Sequence, residues 1–147
     1  MDSILIKQIS AEETRVLRKK LLRPNLSYEK LVYFGDELLN TFHVGAFYKD
    51  NLIGIASICK ENKPNDNTPD SWRLRGMAVE PDFRRNKIGH RLLQKCIDHV
   101  LSQKGKHIWF NARLVAIDFY KTLGFEITSD IFEIEDIGPH YNMEKFL

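Results

Sequence analysis

The chain has 147 residues, of which 43% are hydrophobic and 29% are charged, and its formal net charge is only +2. These values are ordinary for a globular protein, and a chain of this length is predicted to form a single domain over residues 1–147. The near-neutral charge disfavours the basic footprint of a nucleic-acid-binding domain, and no apolar run approaches the ~20 residues that span a bilayer.

Two features predict a cytoplasmic protein. The amino terminus, Met1-Asp2-Ser3-Ile4, lacks the basic and apolar regions of a signal peptide. Cys59 and Cys96 each lie within an apolar run. We therefore interpret both as core thiols in a reducing compartment rather than as a disulfide framework.

The first part of the chain is predicted to form a strand and an amphipathic helix. Residues 4–9 alternate in polarity, as a half-buried strand does. Ser10 and Glu13 then form a capping box, and Pro24 ends the helix that they begin. A shorter second helix is predicted over residues 28–33. The apolar face of the first helix is expected to consist of Val16, Leu17 and Leu21. Its basic residues, interpreted as a solvated face rather than a binding surface, are Arg15, Arg18, Lys19, Lys20 and Arg23.

A hairpin and a third strand are predicted next. Residues 41–48 and 52–59 carry β-branched and aromatic residues and flank a turn at 49–51. The polar segment 61–71 contains two prolines and is predicted to be an exposed loop. Residues 72–80 are mostly apolar, which is typical of a central strand.

The stretch from Gly76 to Leu93 joins this strand to a helix. It contains a turn at Pro81, a basic loop with Arg84, Arg85 and Lys87, and then apolar residues at helical spacing. The start of a helix points unpaired N–H groups and the positive end of its dipole at the preceding loop. We therefore interpret the stretch as a cradle for a pyrophosphate group.

The rest of the chain is predicted to complete a mixed sheet. The helix is expected to run to about Gln103 and to be closed by Gly105. Residues 107–110 form a strand after it, and a strand-helix-strand unit implies a right-handed crossover, so this strand should lie parallel to residues 72–80. The apolar face of the helix is Ile88, Leu92, Leu93, Cys96, Ile97, Val100 and Leu101. The remaining predicted elements are a helix over 114–123 and strands over 125–134 and 141–146.

The motifs on either side of this helix resemble those of the GNAT superfamily of acyl-CoA N-acyltransferases. Residues 77–81, Met-Ala-Val-Glu-Pro, and residues 84–89, Arg-Arg-Asn-Lys-Ile-Gly, are similar to the family's strand end and its R/Q-x-x-G-x-G/A loop. Lys87 stands where the family's first glycine usually lies, and glycine adopts backbone conformations that lysine resists. Residues 111–125 resemble the family's N-A-R-x-x-A-x-x-F-Y-x-x-x-G-F, and Gly-Pro-His at 138–140 resembles the tail of small bacterial members of the ElaA type.

This resemblance implies an α/β (α+β) fold of the GNAT type, with a mixed, mostly antiparallel sheet of six or seven strands that is splayed at the cofactor site and flanked by about four helices. It implies acetyl-CoA as co-substrate and no metal. The backbone of Met77 and Val79 would bind the pantetheine arm, and an amide near Met77 or Ala78 would hold the thioester oxygen. The amides of residues 85–90 would hold the pyrophosphate, and basic side chains at the rim would add charge. The cofactor-binding residues that the resemblance implies are Met77, Ala78, Val79, Arg84, Arg85, Asn86, Lys87, Ile88, Gly89, His90, Asn111 and Tyr120.

The resemblance also implies catalytic roles. Tyr120 matches the family tyrosine that is proposed to protonate the departing thiolate, although a core tyrosine is the alternative. Asn111 ends a strand. Its side chain can hydrogen-bond to the cofactor or to a water, or else to the backbone of a loop. His140 is the leading general-base candidate because Gly-Pro before it predicts a fixed turn near the acceptor pocket and histidine titrates near neutrality, but a structural histidine is the alternative. A water chain can replace a single base. Further candidates for the base are Glu80, His43 and Glu61.

Three functional hypotheses follow from these residues. The first is an acetyl-CoA-dependent N-acetyltransferase that acts on a small-molecule or protein amine. The second is a module that senses acyl-CoA without catalysis, against which Tyr120 argues. The third, a P-loop nucleotide binder, is disfavoured because Ile88-Gly89-His90 stands where the G-K-[ST] ending is required. Acidic side chains in the acceptor cleft would suit a cationic amine. The sequence does not specify the acceptor, and it leaves monomer and homodimer open.

Overall fold

A computed structural model describes residues 3–147, and within them eight strands form one sheet that carries three α-helices. The strands are β1 (Leu5–Gln8), β2 (Phe42–Tyr48), β3 (Asn51–Lys60), β4 (Ser71–Val79), β5 (His107–Arg113), β6 (Glu126–Ile127), β7 (Phe132–Ile134) and β8 (Gly138–Phe146). The helices are α1 (Ala11–Leu17), α2 (Ile88–Ser102) and α3 (Ile117–Lys121), with 3-10 turns at Tyr28–Leu31, Pro81–Phe83 and Leu114–Ala116 and a π-helical turn at Arg18–Leu22. None of the helices in this part of the chain is both long and apolar enough to cross a bilayer.

The sheet is mixed and mostly antiparallel, as predicted. Its strand order is β1-β2-β3-β4-β5-β8-β6, and β7 also pairs with β8. Among these strands only β4 and β5 pair in parallel, and α2 connects them. The predicted parallel crossover is therefore confirmed, and it places the strand that carries Val79 beside the strand that carries Phe110.

The predicted strand over residues 125–134 is interrupted, which raises the strand number to eight. Between β6 and β7, Thr128 N–H donates to Asn142 O at 2.9 Å, and Asn142 N–H donates to Ser129 Oγ at 2.8 Å. A side-chain acceptor thus replaces a backbone one, and the regular ladder with β8 stops here. The predicted helix over 114–123 is likewise shorter, because its first turn is a 3-10 turn.

Helix α2 supplies much of the core. Its buried residues are Ile88, Leu92, Leu93, Cys96, Ile97 and Val100. Leu101, predicted on the same face, is 52% exposed because it lies at the edge of the apolar stripe. Both cysteines are free and buried, which confirms that they are core thiols.

Lys104, rather than Gly105, adopts the left-handed backbone that ends α2, with φ of +61°. Gly105 N–H donates to Val100 O at 2.8 Å. The glycine is needed for a close approach, since a Cβ atom here would lie 2.6 Å from Trp72 Nε1. The helix end predicted near Gln103 is confirmed, and Gly105 closes the helix through its N–H group rather than through a left-handed backbone.

The capping box at the start of α1 is confirmed. Glu13 N–H donates to Ser10 Oγ at 3.1 Å, and Ser10 N–H donates to Glu13 Oε1 at 2.9 Å. However, α1 ends at Leu17 and continues as the π-helical turn. Val16, predicted on the apolar face, is 61% exposed.

Arg18 corrects the prediction that the basic residues after α1 form a solvated face. Its side chain is fully buried, and Nη1 lies 2.6 Å from Asp36 Oδ2. Nη1 also donates to Leu31 O at 2.8 Å, and Nη2 donates to Ser57 Oγ at 3.1 Å. A buried guanidinium needs such partners because an unpaired buried charge is strongly destabilising. The pair ties the segment between α1 and β2 to β3.

Candidate active site

Strands β4 and β5 separate partway along their length. Their parallel register covers only Ser71–Arg73 of β4 and His107–Trp109 of β5. Beyond it, β4 continues to Val79 and β5 to Arg113. The facing edges of the two strands carry backbone groups without a ladder partner there. This separation is the splay of the sheet that the family resemblance implied.

The backbone of Val79 faces this gap. Glu80 N–H donates to Ile53 O at 2.8 Å, so the polar groups of Glu80 point to β3. Adjacent residues of an antiparallel strand point in opposite directions, so those of Val79 point away from β3. By the same alternation, the amide of Ala78 points towards β3, where Ala78 lies opposite Ile55. Of the two candidates for the thioester oxygen, the alternation favours the amide of Met77.

Two residues with left-handed backbones shape the basic loop between β4 and α2. Arg85 has φ of +69°, and Lys87 has φ of +58° and ψ of +20°. Asn86 Nδ2 donates to the carbonyl oxygens of Phe83 and Arg84 at 3.1 and 3.2 Å. Left-handed residues at alternate positions turn successive N–H groups inwards as an anion-binding nest. Lys87 therefore adopts the conformation that glycine would adopt freely.

Helix α2 begins at Ile88, directly after this loop, and the side chain of Lys87 does not cap its first N–H groups. The side chains of Arg84, Arg85 and Lys87 are exposed. Arg84 Nε donates to Val79 O at 3.0 Å, and none of the three pairs with a carboxylate in the described part of the chain. The helix dipole and these cations together favour an anion at the nest.

A cavity of about 700 Å³ runs along the gap. It is lined by every residue predicted to bind cofactor except Asn86, whose side chain braces the loop. The predicted residues that line it are Met77, Ala78, Val79, Arg84, Arg85, Lys87, Ile88, Gly89, His90, Asn111 and Tyr120.

Tyr120 lines this cavity from α3. Its ring packs against Phe110 and Phe125, with centroid distances of 4.4 and 6.3 Å. Its hydroxyl group makes no hydrogen bond to another residue in 3–147 and is not fully enclosed. Burial raises the pKa of Tyr120 well above its ordinary value of 10. The hydroxyl group therefore stays protonated near neutral pH and can donate a proton.

His140 also lines the cavity, but it lies in a strand. Gly138 and Pro139 begin β8 and pair with β7, so the predicted fixed turn is wrong. Proline fits there because the first residues of a strand can lack a ladder donor. His140 is buried, and its Nδ1 bonds to Gly138 O at 2.8 Å. Because a carbonyl oxygen only accepts, Nδ1 carries the proton and Nε2 is left as the basic nitrogen.

Asn111 lines the cavity from β5 and is braced by a neighbouring strand. Its Oδ1 accepts from Asn142 Nδ2 at 3.2 Å. The side chain is therefore held in place, and its own amide group stays available to the cavity. The other base candidates lie elsewhere. Glu80 and Glu61 each pair with a basic residue, at 2.7 and 3.0 Å, and His43 is buried against Ser57.

Several arginines that were not predicted from the sequence as site residues also line the cavity. Arg73 and Arg75 lie in β4, where their guanidinium carbons sit 4.8 Å from the Trp109 ring centre and 4.5 Å from that of Tyr33. Four of the arginines that line the cavity lie outside the basic loop, and we call them the arginine cluster: Arg23, Arg73, Arg75 and Arg113. The sequence did contain a sign of this cluster, because two arginines at alternate positions of a strand lie on the same face of the sheet.

A second buried polar cluster lies at the far end of the sheet. Ser71 Oγ lies 2.7 Å from His107 Nδ1, and His107 Nε2 lies 2.7 Å from Glu144 Oε1. The residue types are those of a hydrolase triad, but the two ring nitrogens of the histidine are exchanged relative to a triad. Ser71 is also buried, and its hydroxyl group donates to Thr68 O at 2.8 Å. We interpret the cluster as structural. Within residues 3–147, no group of three or more His, Cys, Asp or Glu side chains is placed to hold a metal ion.

Comparisons with known proteins agree on one family. The family described as "Acetyltransferase (GNAT) domain" matches residues 6–147. The "Uncharacterized N-acetyltransferase YitI" of Bacillus subtilis (strain 168) is 37% identical over 143 residues, which cover 97% of this chain and 95% of that protein.

Solved structures share the fold at low sequence identity. Escherichia coli ElaA matches with a TM-score of 0.76 at 19% identity, covering 97% of this chain and 99% of that chain. An aminoglycoside 6'-N-acetyltransferase complexed with coenzyme A matches with a TM-score of 0.76 at 17% identity, covering 97% and 96%.

Proposed function

Because the chain belongs to the GNAT acetyltransferase family, we propose that it transfers an acetyl group from acetyl-CoA directly to the amine of a small-molecule or protein acceptor. The observation that carries this proposal is the gap between β4 and β5, which leads from the basic nest to Tyr120 within one cavity. Such a gap accommodates an extended, amide-containing chain that ends in a phosphate group.

The nest and the edge of β4 would bind different parts of acetyl-CoA. The loop amides and the side chains of Arg84, Arg85 and Lys87 would hold the pyrophosphate. The backbone groups of Met77 and Val79 would bond the pantetheine amides as an added strand does. Val79 O already accepts from Arg84 Nε, and a carbonyl oxygen has a second lone pair for this purpose.

Tyr120 would donate a proton during the transfer, and His140 would accept one. The amine nitrogen forms a bond to the acetyl carbon, and the carbon–sulfur bond breaks. The Tyr120 hydroxyl would protonate the departing thiolate, and His140 Nε2, or a water beside it, would take the proton released by the amine. The amide of Met77 would stabilise the negative charge that develops on the thioester oxygen. Holding both reactants in one cavity supplies much of the rate.

The catalytically inactive acyl-CoA sensor is the competing proposal. It is disfavoured because Tyr120 lines the cavity with a hydroxyl group that no other described residue bonds. We also propose that residues 1–147 act as one domain in the cytoplasm, where free cysteines are the rule.

Ligand-induced stabilisation tests the cofactor assignment. Acetyl-CoA should raise Tm, because it binds only the folded chain, whereas ATP and NAD should raise it less. Arg85→Gln should weaken the acetyl-CoA effect. Lys95→Gln removes a cation from the exposed side of α2 and should leave the effect unchanged. An unchanged Tm of the wild-type protein at millimolar acetyl-CoA would contradict the assignment.

A further inference from the structure

The cavity carries positive charge at both of its ends. Among residues 3–147, none that lines it is an aspartate or a glutamate. One end holds the basic loop, and Arg73 and Arg75 of the arginine cluster lie towards the other. The charged environment of the acceptor end is therefore the opposite of the one that would suit a cationic amine.

The two ends lie on opposite sides of the position proposed for the thioester. The basic loop follows Val79, and Arg75 and Arg73 precede the bulge at Gly76. At ~3.3 Å per residue of strand, Arg75 lies roughly 13 Å before Val79. The loop and the strand edge already accommodate the pyrophosphate and the pantetheine arm, so the arginine cluster is left for the acceptor.

Much of the hydrogen-bonding capacity of the arginine cluster is unused. The side chain of Arg75 makes no hydrogen bond or ion pair with another residue in 3–147, and Arg113 donates from Nη2 to Leu22 O at 2.9 Å. Arg73 pairs with Glu61 at 3.0 Å, but its Nε, like that of Arg23, is buried without a partner in the described chain. Buried donors without acceptors are costly, and an anion in the cavity would supply acceptors.

The ring of Tyr33 holds Arg75 in place. The guanidinium carbon of Arg75 lies 4.5 Å from the ring centre, and that of Arg18 lies 3.9 Å from it. Asp36 neutralises Arg18, which does not line the cavity. Arg75 thus presents a planar fork that makes no ion pair in the described chain, the arrangement that suits a carboxylate or phosphate group.

We propose that the acceptor is a small amine that also carries an oxyanion, a carboxylate or a phosphate group, and that Arg75 and its neighbours in the arginine cluster bind this oxyanion. The inference rests on the proposed acetyl transfer. Cations near the bound amine would also favour its neutral form, which is the nucleophile. Polyamines and aminoglycosides, which carry several positive charges, would be repelled.

Matched pairs of amines test this inference. The common α-amino acids are compared with their carboxamides, and ethanolamine phosphate is compared with ethanolamine, by thiol release from acetyl-CoA. The two pairs distinguish a carboxylate from a phosphate. We expect kcat/KM for the best amine that carries an oxyanion to exceed that of its partner without the oxyanion by roughly 10- to 100-fold, as expected for hydrogen bonds to a charged group. Equal or higher kcat/KM for the amines without an oxyanion, or for spermidine or kanamycin, would overturn the inference.

Two variants assign the selectivity to one end of the cavity. Arg75→Gln should reduce the ratio of kcat/KM between the amines with and without an oxyanion by roughly 10-fold or more. Arg85→Gln should raise the KM for acetyl-CoA and preserve that ratio. If Arg75→Gln is unfolded by its melting profile, Arg113→Gln takes its place in the comparison. A ratio that survives in a folded variant of either cluster arginine would overturn the assignment.

The failures of the two proposals are distinguishable. If acetyl-CoA neither shifts Tm nor is consumed with any amine, the acetyl transfer itself is contradicted. If acetyl-CoA binds but no amine is turned over, the shift of Tm by N-acetyl amino acids in the presence of CoA is compared with the shift by their carboxamides. A larger shift by the acids supports the oxyanion site, and an equal shift contradicts it.

Discussion

The side chain of Tyr120 lines the cavity, and its hydroxyl group is the proposed proton donor. Replacing Tyr120 by Phe removes one oxygen and keeps the ring that packs on Phe110. We expect kcat to fall by about 100-fold, as for the loss of a general acid, with the KM for acetyl-CoA nearly unchanged. Steady-state kinetics measure both constants.

The same substitution elsewhere is the control for Tyr120. Tyr141 lies in β8 outside the cavity lining, and Tyr141→Phe should leave kcat unchanged. If Tyr120→Phe is as active as Tyr141→Phe, Tyr120 is a core residue and has no part in proton transfer.

Lys87 combines a strained backbone with a useful charge. A left-handed conformation costs a residue with a side chain about 1–2 kcal/mol, which glycine avoids, although glycine loses more freedom on folding. Lys87→Gly should therefore be more stable than Lys87→Gln by up to about 1 kcal/mol in urea unfolding. Both variants lose the cation and should raise the KM for acetyl-CoA equally. A Lys87→Gly variant that is less stable than Lys87→Gln would contradict this account of the loop.

Residue-level predictions from the sequence succeeded where a contact is local. The Ser10–Glu13 capping box spans three residues, and the spacing within the loop placed Arg84 to His90 together. Arg18 is buried because it pairs with Asp36, which lies 18 residues away in the chain. No local sequence pattern predicts such a pair. Arg73 and Arg75 were missed because a mostly apolar strand does not show which of its faces borders a cavity.

At the scale of elements, the turn after α1 is held by the buried Arg18–Asp36 pair. Arg18→Met leaves the Asp36 carboxylate buried without its partner, and we expect it to lower the free energy of unfolding by about 3–5 kcal/mol. Lys20→Met breaks a surface pair with Glu80, since Lys20 is 61% exposed, and should cost about 0–1 kcal/mol. Urea unfolding compares the two variants. Equal losses would show that the buried pair does not hold this turn.

Helices and strands were predictable to different extents. The apolar period of α2 gave its bounds within one residue, because a long amphipathic helix carries its signal in its own sequence. The division of residues 125–134 into β6 and β7 depends on side chains that bond to Asn142 in β8. The separation of β4 from β5 was expected only through the family resemblance, since neither strand differs in composition where it diverges.

At the scale of the whole molecule, Glu144 makes stability depend on pH. Burial alone would raise the pKa of Glu144, but hydrogen bonds from Lys63, Thr128 and His107 outweigh it and lower the pKa below its ordinary value of 4.5. The unfolded chain then binds the proton more readily, so the contribution is complete above pH 4.5 and is lost as pH falls through the folded-state pKa.

Urea unfolding at pH 7 and at pH 3.5 measures this dependence. Glu144→Gln should lose less stability on acidification than the wild-type protein does, because its amide group has no such proton to bind. Glu126→Gln, on the exposed strand β6, should lose as much as the wild type. Identical losses in all three proteins would contradict the role assigned to Glu144.

At the scale of the whole molecule, we propose that one cavity serves both substrates, with acetyl-CoA along β4 and the amine beside the arginine cluster. Acetyl transfer from acetyl-CoA to an amine is the claim on which the other proposals depend. The most direct measurement incubates the protein with acetyl-CoA and a panel of amines and follows both thiol release and the mass of the acceptor. We predict one thiol released for each amine that gains an acetyl group, and a rate that falls in Tyr120→Phe. Thiol release no faster than in the absence of protein, with no acetylated amine, would contradict the claim.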